Sequence, residues 1–192
     1  MTDLIKRAIY FAAEKHDKQY RKGTNVPYFA HPVLVAMEVS KYSEDEDIIA
    51  AAFLHDVIED CSVGYTELQK LFSKRIAKIV KELSFSTGGD KKISWRDKKK
   101  VYLKKVKKAS EEALVIVAAD KMNNMRSYFD AVISGVDVGK LFRGDLSGYL
   151  WYYGEILEIL KSRMSRHPIT SAYQKTLESY RVKLTQSRIL LD

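Results

Sequence analysis

The feature that most constrains this chain is a run without a polar side chain, Ile48, Ile49, Ala50, Ala51, Ala52, Phe53 and Leu54, leading straight into His55-Asp56-Val57-Ile58-Glu59-Asp60. A helix with no polar stripe is buried on nearly all sides, so this run belongs inside a core. Its continuation carries four ionisable groups. If the helix continues at roughly 100° per residue, His55, Glu59, Asp56 and Asp60 fall at about 0°, 40°, 100° and 140°, which puts an imidazole and three carboxylates on one face. Three carboxylates beside a core repel one another and lose hydration unless something cationic neutralises them. A divalent metal ion is the most compact neutraliser, so the stretch predicts a metal site.

A second apolar run has the same ending. Ala113-Leu114-Val115-Ile116-Val117-Ala118-Ala119 leads into Asp120-Lys121-Met122-Asn123-Asn124-Met125-Arg126. Its β-branched residues suit a strand, but the helical spacing of Ala118, Met122 and Met125 and the lack of strand partners favour a helix. Asp120 and Asn124, four apart, then share a face. A carboxylate in this position serves as a metal ligand, a cap or an arginine partner, and the segment alone leaves the three open. His31-Pro32 opens another helix, with Val33, Leu34, Val35, Met37 and Val39 as its apolar side. Proline suits the first helical turn, which makes His31 the expected cap residue. Between these segments, Ser43-Glu44-Asp45-Glu46-Asp47 is an acidic, cap-rich break that starts the 48–54 helix with negative charge at the positive end of its dipole.

The rest of the chain reads as helices and short breaks. Helical spacing marks 3–19, 66–72, 76–83, 95–109, 146–160 and 170–187. Residues 20–28 form a loop by their Gly, Asn and Pro content, and Arg21 and Lys22 stand there beside Gly23, which lets backbone amides approach an anion. Residues 86–90 read as a flexible connector. In the 95–109 helix, Trp95, Val101, Tyr102, Leu103 and Val106 supply the inner side. The 146–160 helix is rich in aromatics, and its Tyr152 or Tyr153 is placed to contact a ligand. The expected fold is an all-α bundle of about eight to ten helices in a single domain. Residues 1–165 form the main unit, and 166–192 a helical extension whose Tyr173, Leu177, Tyr180 and Leu184 pack on that unit or on a second copy, leaving a homodimer open. His16 and His167 have no evident task.

Composition narrows the function classes. The single cysteine, Cys61, excludes an intramolecular disulfide and fits a reducing compartment, where it reads as a small buried filler. The N-terminus lacks a basic-then-apolar signal pattern, and no run approaches the roughly 18 apolar residues of a membrane span. A soluble cytoplasmic protein is expected. The formal charge is +8, and lysines and arginines concentrate between positions 91 and 108. Such a run is a solvated helix face, or binds phosphate through one or two side chains. A non-enzymatic module binding RNA or DNA through it ranks last, because a nucleic-acid surface gives no reason for Glu59 and Asp60 to stand beside His55 and Asp56.

His31, then His55-Asp56, then Asp120 resemble in order the scattered ligands of the HD-domain metal-dependent phosphohydrolases. Arg21-Lys22-Gly23-Thr24, Pro27-Tyr28-Phe29-Ala30-His31-Pro32, His55-Asp56-Val57-Ile58-Glu59-Asp60 and Ala119-Asp120-Lys121-Met122-Asn123-Asn124-Met125-Arg126 are similar to the hydrolase domain of RelA/SpoT-type enzymes and the small alarmone hydrolases. The resemblance covers most of residues 3–160. It implies an HD-domain helical fold and a manganese-dependent hydrolase that removes the 3′-diphosphate from guanosine tetra- or pentaphosphate. By position it implies His31, His55, Asp56 and Asp120 as metal ligands, and Glu59 and Asp60 as the residues that orient and deprotonate the attacking water. Asn124 would stand by the ribose, with Arg21, Lys22, Lys98 and Tyr152 as substrate contacts. Position 123 is Asn where many relatives have His. No synthetase segment follows, so hydrolysis alone is expected. A mixed nitrogen and oxygen ligand set suits Mn, Fe, Co or Zn better than Ca or Mg. The same fold acting on another nucleotide or a phosphorylated dinucleotide is the alternative.

Overall fold

Eleven helices and no strand make up the regular structure of residues 1–85 and 93–189, which are the residues described by the computed structural model. In chain order they are α1 (Asp3–Lys15), α2 (Ala30–Val39), α3 (Glu46–Phe53), α4 (Val57–Asp60), α5 (Tyr65–Leu71), α6 (Lys74–Leu83), α7 (Trp95–Val106), α8 (Glu111–Ile133), α9 (Val138–Leu141), α10 (Leu146–Met164) and α11 (Pro168–Ile189). The all-α expectation holds. The expected count of about eight to ten holds as well: nine of the described helices are longer than four residues, and α4 and α9 are single turns. The connector at 86–90 and the first two lysines of the basic run, Lys91 and Lys92, lie outside the described residues.

The two apolar runs become the innermost helices. Ile48, Ala50, Ala51, Ala52 and Phe53 of α3 are all buried, as is α8 from Ala113 through Asp120. Around α8 pack α2, α3, α6, α10 and α11, so the longest helix is the axis on which the others converge. Side chains fix where helices begin. Asp45, Ser73, Ser94, Ser110 and Asp145 each accept a hydrogen bond from a backbone N–H in the first turn they precede, satisfying a donor that has no partner inside the helix. On α11, Tyr173, Leu177, Tyr180 and Leu184 are buried in the same core. Trp95 of α7 packs closely against the start of α10: a Cβ on Gly144 would sit 2.9 Å from its ring and one on Gly148 3.0 Å, so a larger residue at either position would push the ring away. No described helix is long and apolar enough to cross a membrane.

Several local expectations are corrected. Helix α1 stops at Lys15, short of residue 19, and the chain turns through Lys18 at φ 60. His31 is not the cap of α2: Phe29 is, and His31 lies inside the first turn with its side chain buried. Leu34 and Met37, read as the inner side of that helix, are 51% and 59% exposed, while Glu38 is buried. The buried face of α2 follows the line His31, Val35, Ala36 and Val39, because the imidazole points inward. Val101 of α7 is also exposed.

Candidate metal centre

The candidate centre begins where α3 ends. A helix continuing past Phe53 would give the Ala52 carbonyl to the Asp56 amide; instead His55 Nδ1 takes that carbonyl at 2.8 Å. The chain turns through Leu54, His55 and Asp56 and resumes as α4. The four ionisable groups therefore do not share one helical arc, as an unbroken helix would require. His55 and Asp56 turn inward together, and Glu59 and Asp60 follow on a separate turn.

The turn meets two other elements. His31 from α2 brings its Nε2 to 3.6 Å from Asp56 Oδ2 and 3.2 Å from Asp120 Oδ1, and His55 Nε2 lies 2.9 Å from the same Asp56 oxygen. The donor atoms of His31, His55 and Asp56 all lie within 4.8 Å of one another. Asp120 joins beside His31, with one oxygen also met by the Asn124 amide and the other by the Lys121 ammonium. Donor atoms bound about 2.1 Å from one ion stand roughly 3 Å apart, so these spacings fit a first-row divalent metal.

The orientation of the rings supports that fit. Nδ1 of His31 is 2.7 Å from Asn123 Oδ1 and Nδ1 of His55 is held by Ala52, so each ring has its proton committed away from the cluster and turns the Nε2 lone pair toward the carboxylates. His55 Nε2 is buried and has no hydrogen-bond partner among the described residues, although a carboxylate oxygen is 2.9 Å away. A proton on Nε2 or a metal cation between the two atoms would satisfy this pair. The groups of the cluster also hold one another's charge. Burial opposes charge on His55, yet Asp56 pushes its imidazole up to about 9. Asp56, in spite of its own burial, is held well below the usual carboxylate range by His55 and His31. Burial works against charge on Asp120 too, and Lys121 and His31 outweigh it.

Two cavities flank the cluster. The first, of about 830 Å³, is bordered by Asp56, Glu59, Lys98, Arg143 and the aromatic rings of Trp95 and Tyr102. The second, of about 920 Å³, is bordered by His31, Asp60, Arg21, Asn124 and a more apolar wall that includes Leu34 and Phe142. Lys22, Lys99, Lys121, Tyr149 and Tyr152 border both. Glu59 and Asp60 thus open onto different chambers. Burial, then the neighbouring Asp56, raises the carboxyl of each above its ordinary value; for Glu59 the Phe85 amide, donating at 3.0 Å, partly offsets this. Tyr152 is buried, and its hydroxyl has no hydrogen-bond partner among the described residues.

Of the residues singled out from sequence, His31, His55, Asp56 and Asp120 converge. Arg21 joins them through Asn124: its Nη2 lies 3.3 Å from Asn124 Oδ1 and 3.3 Å from Ser127 Oγ. The loop that carries Arg21 is tied down by a bridge between Tyr20 and Pro27, with Gly23 at φ 72 in its turn. Lys22 and Tyr152 line both chambers and Lys98 only the first. Sequence reasoning missed Tyr28, whose hydroxyl donates to Asp56 Oδ2 at 2.7 Å, and Lys121, whose place beside Asp120 is the one signal for it. It also missed His16, which is buried with Nδ1 2.8 Å from Gln19 Oε1 and 3.3 Å from Cys61 Sγ, behind α4.

Comparisons with known proteins identify the family. Residues 8–135 match the family model of the HD domain. The guanosine-3′,5′-bis(diphosphate) 3′-pyrophosphohydrolase of Aquifex aeolicus is 35% identical over 126 residues, 64% of this chain and 17% of that protein. Enzymes of the same name from Drosophila melanogaster and Danio rerio are each 32% identical, over 62% and 65% of this chain and 65% and 69% of their own lengths. The chain therefore spans a small part of the first relative and about two thirds of the other two. A solved structure of a metazoan ortholog of SpoT that hydrolyses ppGpp superposes with a TM-score of 0.75 at 22% identity, covering 93% of this chain and 96% of that one. A Listeria monocytogenes protein gives 0.66 at 23% identity, over 82% and 99%. At these identities the structures show a shared fold.

Proposed function

Because this chain belongs to the HD-domain family, we propose that it is a metal-dependent phosphohydrolase that removes the 3′-diphosphate of guanosine 3′,5′-bis(diphosphate). The observation that carries the reading is the pair of buried imidazoles aiming their Nε2 atoms at Asp56 and Asp120 between two cation-lined chambers. The names of the relatives at 32–35% identity support the substrate.

In this reading His31, His55, Asp56 and Asp120 hold the ion, which we take to be Mn²⁺ from the mixed nitrogen and oxygen donors. When bound, such an ion supplies Lewis acidity that makes a water more acidic and polarises the phosphorus centre. Glu59 and Asp60, with carboxyls raised by burial, accept the water's proton from either side. Water adds to phosphorus as the bond to the 3′-oxygen breaks, the proton taken from the water passes to that oxygen, and pyrophosphate and the nucleoside 5′-diphosphate leave. The five groups shared by the chambers hold the substrate across the cluster. Lys22, Lys99 and Lys121 offset charge growing on the phosphoryl oxygens, and the unpaired Tyr152 hydroxyl donates to one of them. The chamber with the more apolar wall takes the nucleoside, with Arg21 and Asn124 at its edge. Lys98 and Arg143 line the other for the second diphosphate. A nucleotide substrate and a free thiol support a cytoplasmic location as part of the same proposal.

The test is pyrophosphate release from the alarmone by protein loaded with Mn²⁺, beside Glu59→Gln and Asp60→Asn variants. Turnover is expected only in the loaded parent protein, with the metal retained in both variants. An inert alarmone beside hydrolysis of another nucleotide in a substrate panel would overturn the substrate assignment.

A further inference from the structure

On helix α8, Asp120, Asn123 and Asn124 follow one another at helical spacing beside the buried residues Ala119, Met122 and Met125. Asp120 reaches the cluster directly and Asn124 braces Asp120. Asn123 does neither. It is 9% exposed, and its side-chain oxygen lies 2.7 Å from His31 Nδ1, 92 positions away in sequence. An amide in such a place is costly unless it is paired, and a leucine of similar size would fill the space without that demand. We propose that Asn123 is a positioning residue that sets the affinity of the centre for its divalent ion, by fixing the proton of His31 on Nδ1 with a neutral acceptor.

The inference rests on the metal-centre reading above. An acceptor behind a ligating imidazole does two things: it holds the ring with Nε2 toward the ion, and it makes that nitrogen more basic in proportion to the acceptor's charge. A carboxamide does the first and little of the second. The cluster already contains two carboxylates, Asp56 and Asp120, so a neutral group at 123 orients His31 without adding a third negative charge. Affinity is held to an intermediate level. The two replacements that keep the size of the side chain should then move affinity in opposite directions. Asn123→Leu frees the imidazole to rotate or shift its proton to Nε2, whereas Asn123→Asp keeps the hydrogen bond and adds charge. A role in packing alone would make both replacements harmful.

The experiment measures Mn²⁺ dissociation constants at pH 8 by competition with a chelating dye, for the parent protein and both variants, with thermal melts to establish folding. The parent is expected to bind one ion per chain. Asn123→Leu should weaken binding at least tenfold, and Asn123→Asp should tighten it threefold or more. An Asp variant that binds no more tightly than the parent, or a folded Leu variant that binds no more weakly, overturns the inference. If the Leu variant does not fold, the Asp variant alone decides. Failure of the parent to bind Mn²⁺ at all would overturn the metal centre itself, and this proposal with it.

Discussion

Replacing Lys99 with methionine should stabilise the fold while it damages the site. The Lys99 amine lies between the two chambers, and burial followed by the nearby Lys121 cation lowers it from the ordinary 10.5 to about 8. At roughly 1.4 kcal/mol per unit, holding it protonated at pH 7 costs the folded state about 3 kcal/mol. Methionine keeps the length of the side chain and removes the charge. It also forfeits the contacts of the ammonium with the rings of Tyr152, Trp95 and Tyr102, 4.6, 5.8 and 5.9 Å from their centres, together worth roughly 1 kcal/mol. The burial cost is the larger, so a net gain of about 2 kcal/mol is expected. The sign of the pH dependence follows. Between pH 8 and 10.5 the unfolded chain keeps this proton while the folded chain releases it, so parent stability rises with pH through that window. The variant lacks that rise, and the gap between the two should close by about pH 10.5. Guanidinium unfolding at pH 7 and again near pH 10 measures both quantities, and Mn²⁺-dependent hydrolysis should fall in parallel. A variant less stable than the parent at pH 7, or a gap unchanged with pH, would refute the reasoning.

Three further outcomes can be measured. Tyr28→Phe removes the hydroxyl that holds Asp56 Oδ2, so Mn²⁺ binding should weaken about tenfold with little change in melting temperature; an unchanged dissociation constant would remove Tyr28 from the account. Leu177→Ala empties a fully buried position on α11 and should cost about 2–5 kcal/mol in denaturant unfolding. A loss below about 1 kcal/mol would mean that α11 is not part of the core. Glu38, though buried, is held below the usual 4.5 by Lys41 and Arg126. Its contribution is present above that value and lost as acid passes through the lower folded one, so Glu38→Gln should flatten the acid limb of a stability–pH curve.

How much was legible beforehand depended on whether a residue's role was local. The runs ending at Leu54 and Ala119 announced buried helices because nothing polar interrupts them, and their charged endings announced a site. The break at Leu54 and Asp56 was not legible, since periodicity assumes that each carbonyl goes to the amide four residues on, and His55 diverts the Ala52 carbonyl. Leu34 and Met37 were misread as core for a related reason: the inward imidazole of His31 sets the buried face of α2, and a hydrophobicity pattern gives histidine no such weight. Tyr28 and Asn123 act only through partners 28 and 92 positions away, Asp56 and His31. Neither spacing nor composition marks such pairs. Lys121 could have been suspected, because a cation directly after a buried carboxylate has few other ways to be neutralised.

Charges from α2, the turn after α3, and α8 converge at one cluster, and the proposal is that they hold a divalent ion there for phosphate hydrolysis. Its most direct test is a single-turnover assay of guanosine 3′,5′-bis(diphosphate) with protein of measured Mn²⁺ content, before and after chelation. The account predicts pyrophosphate release in proportion to bound metal, abolished by chelation and restored by added Mn²⁺. Full activity in metal-stripped protein, or none in protein carrying one Mn²⁺ per chain, would contradict it.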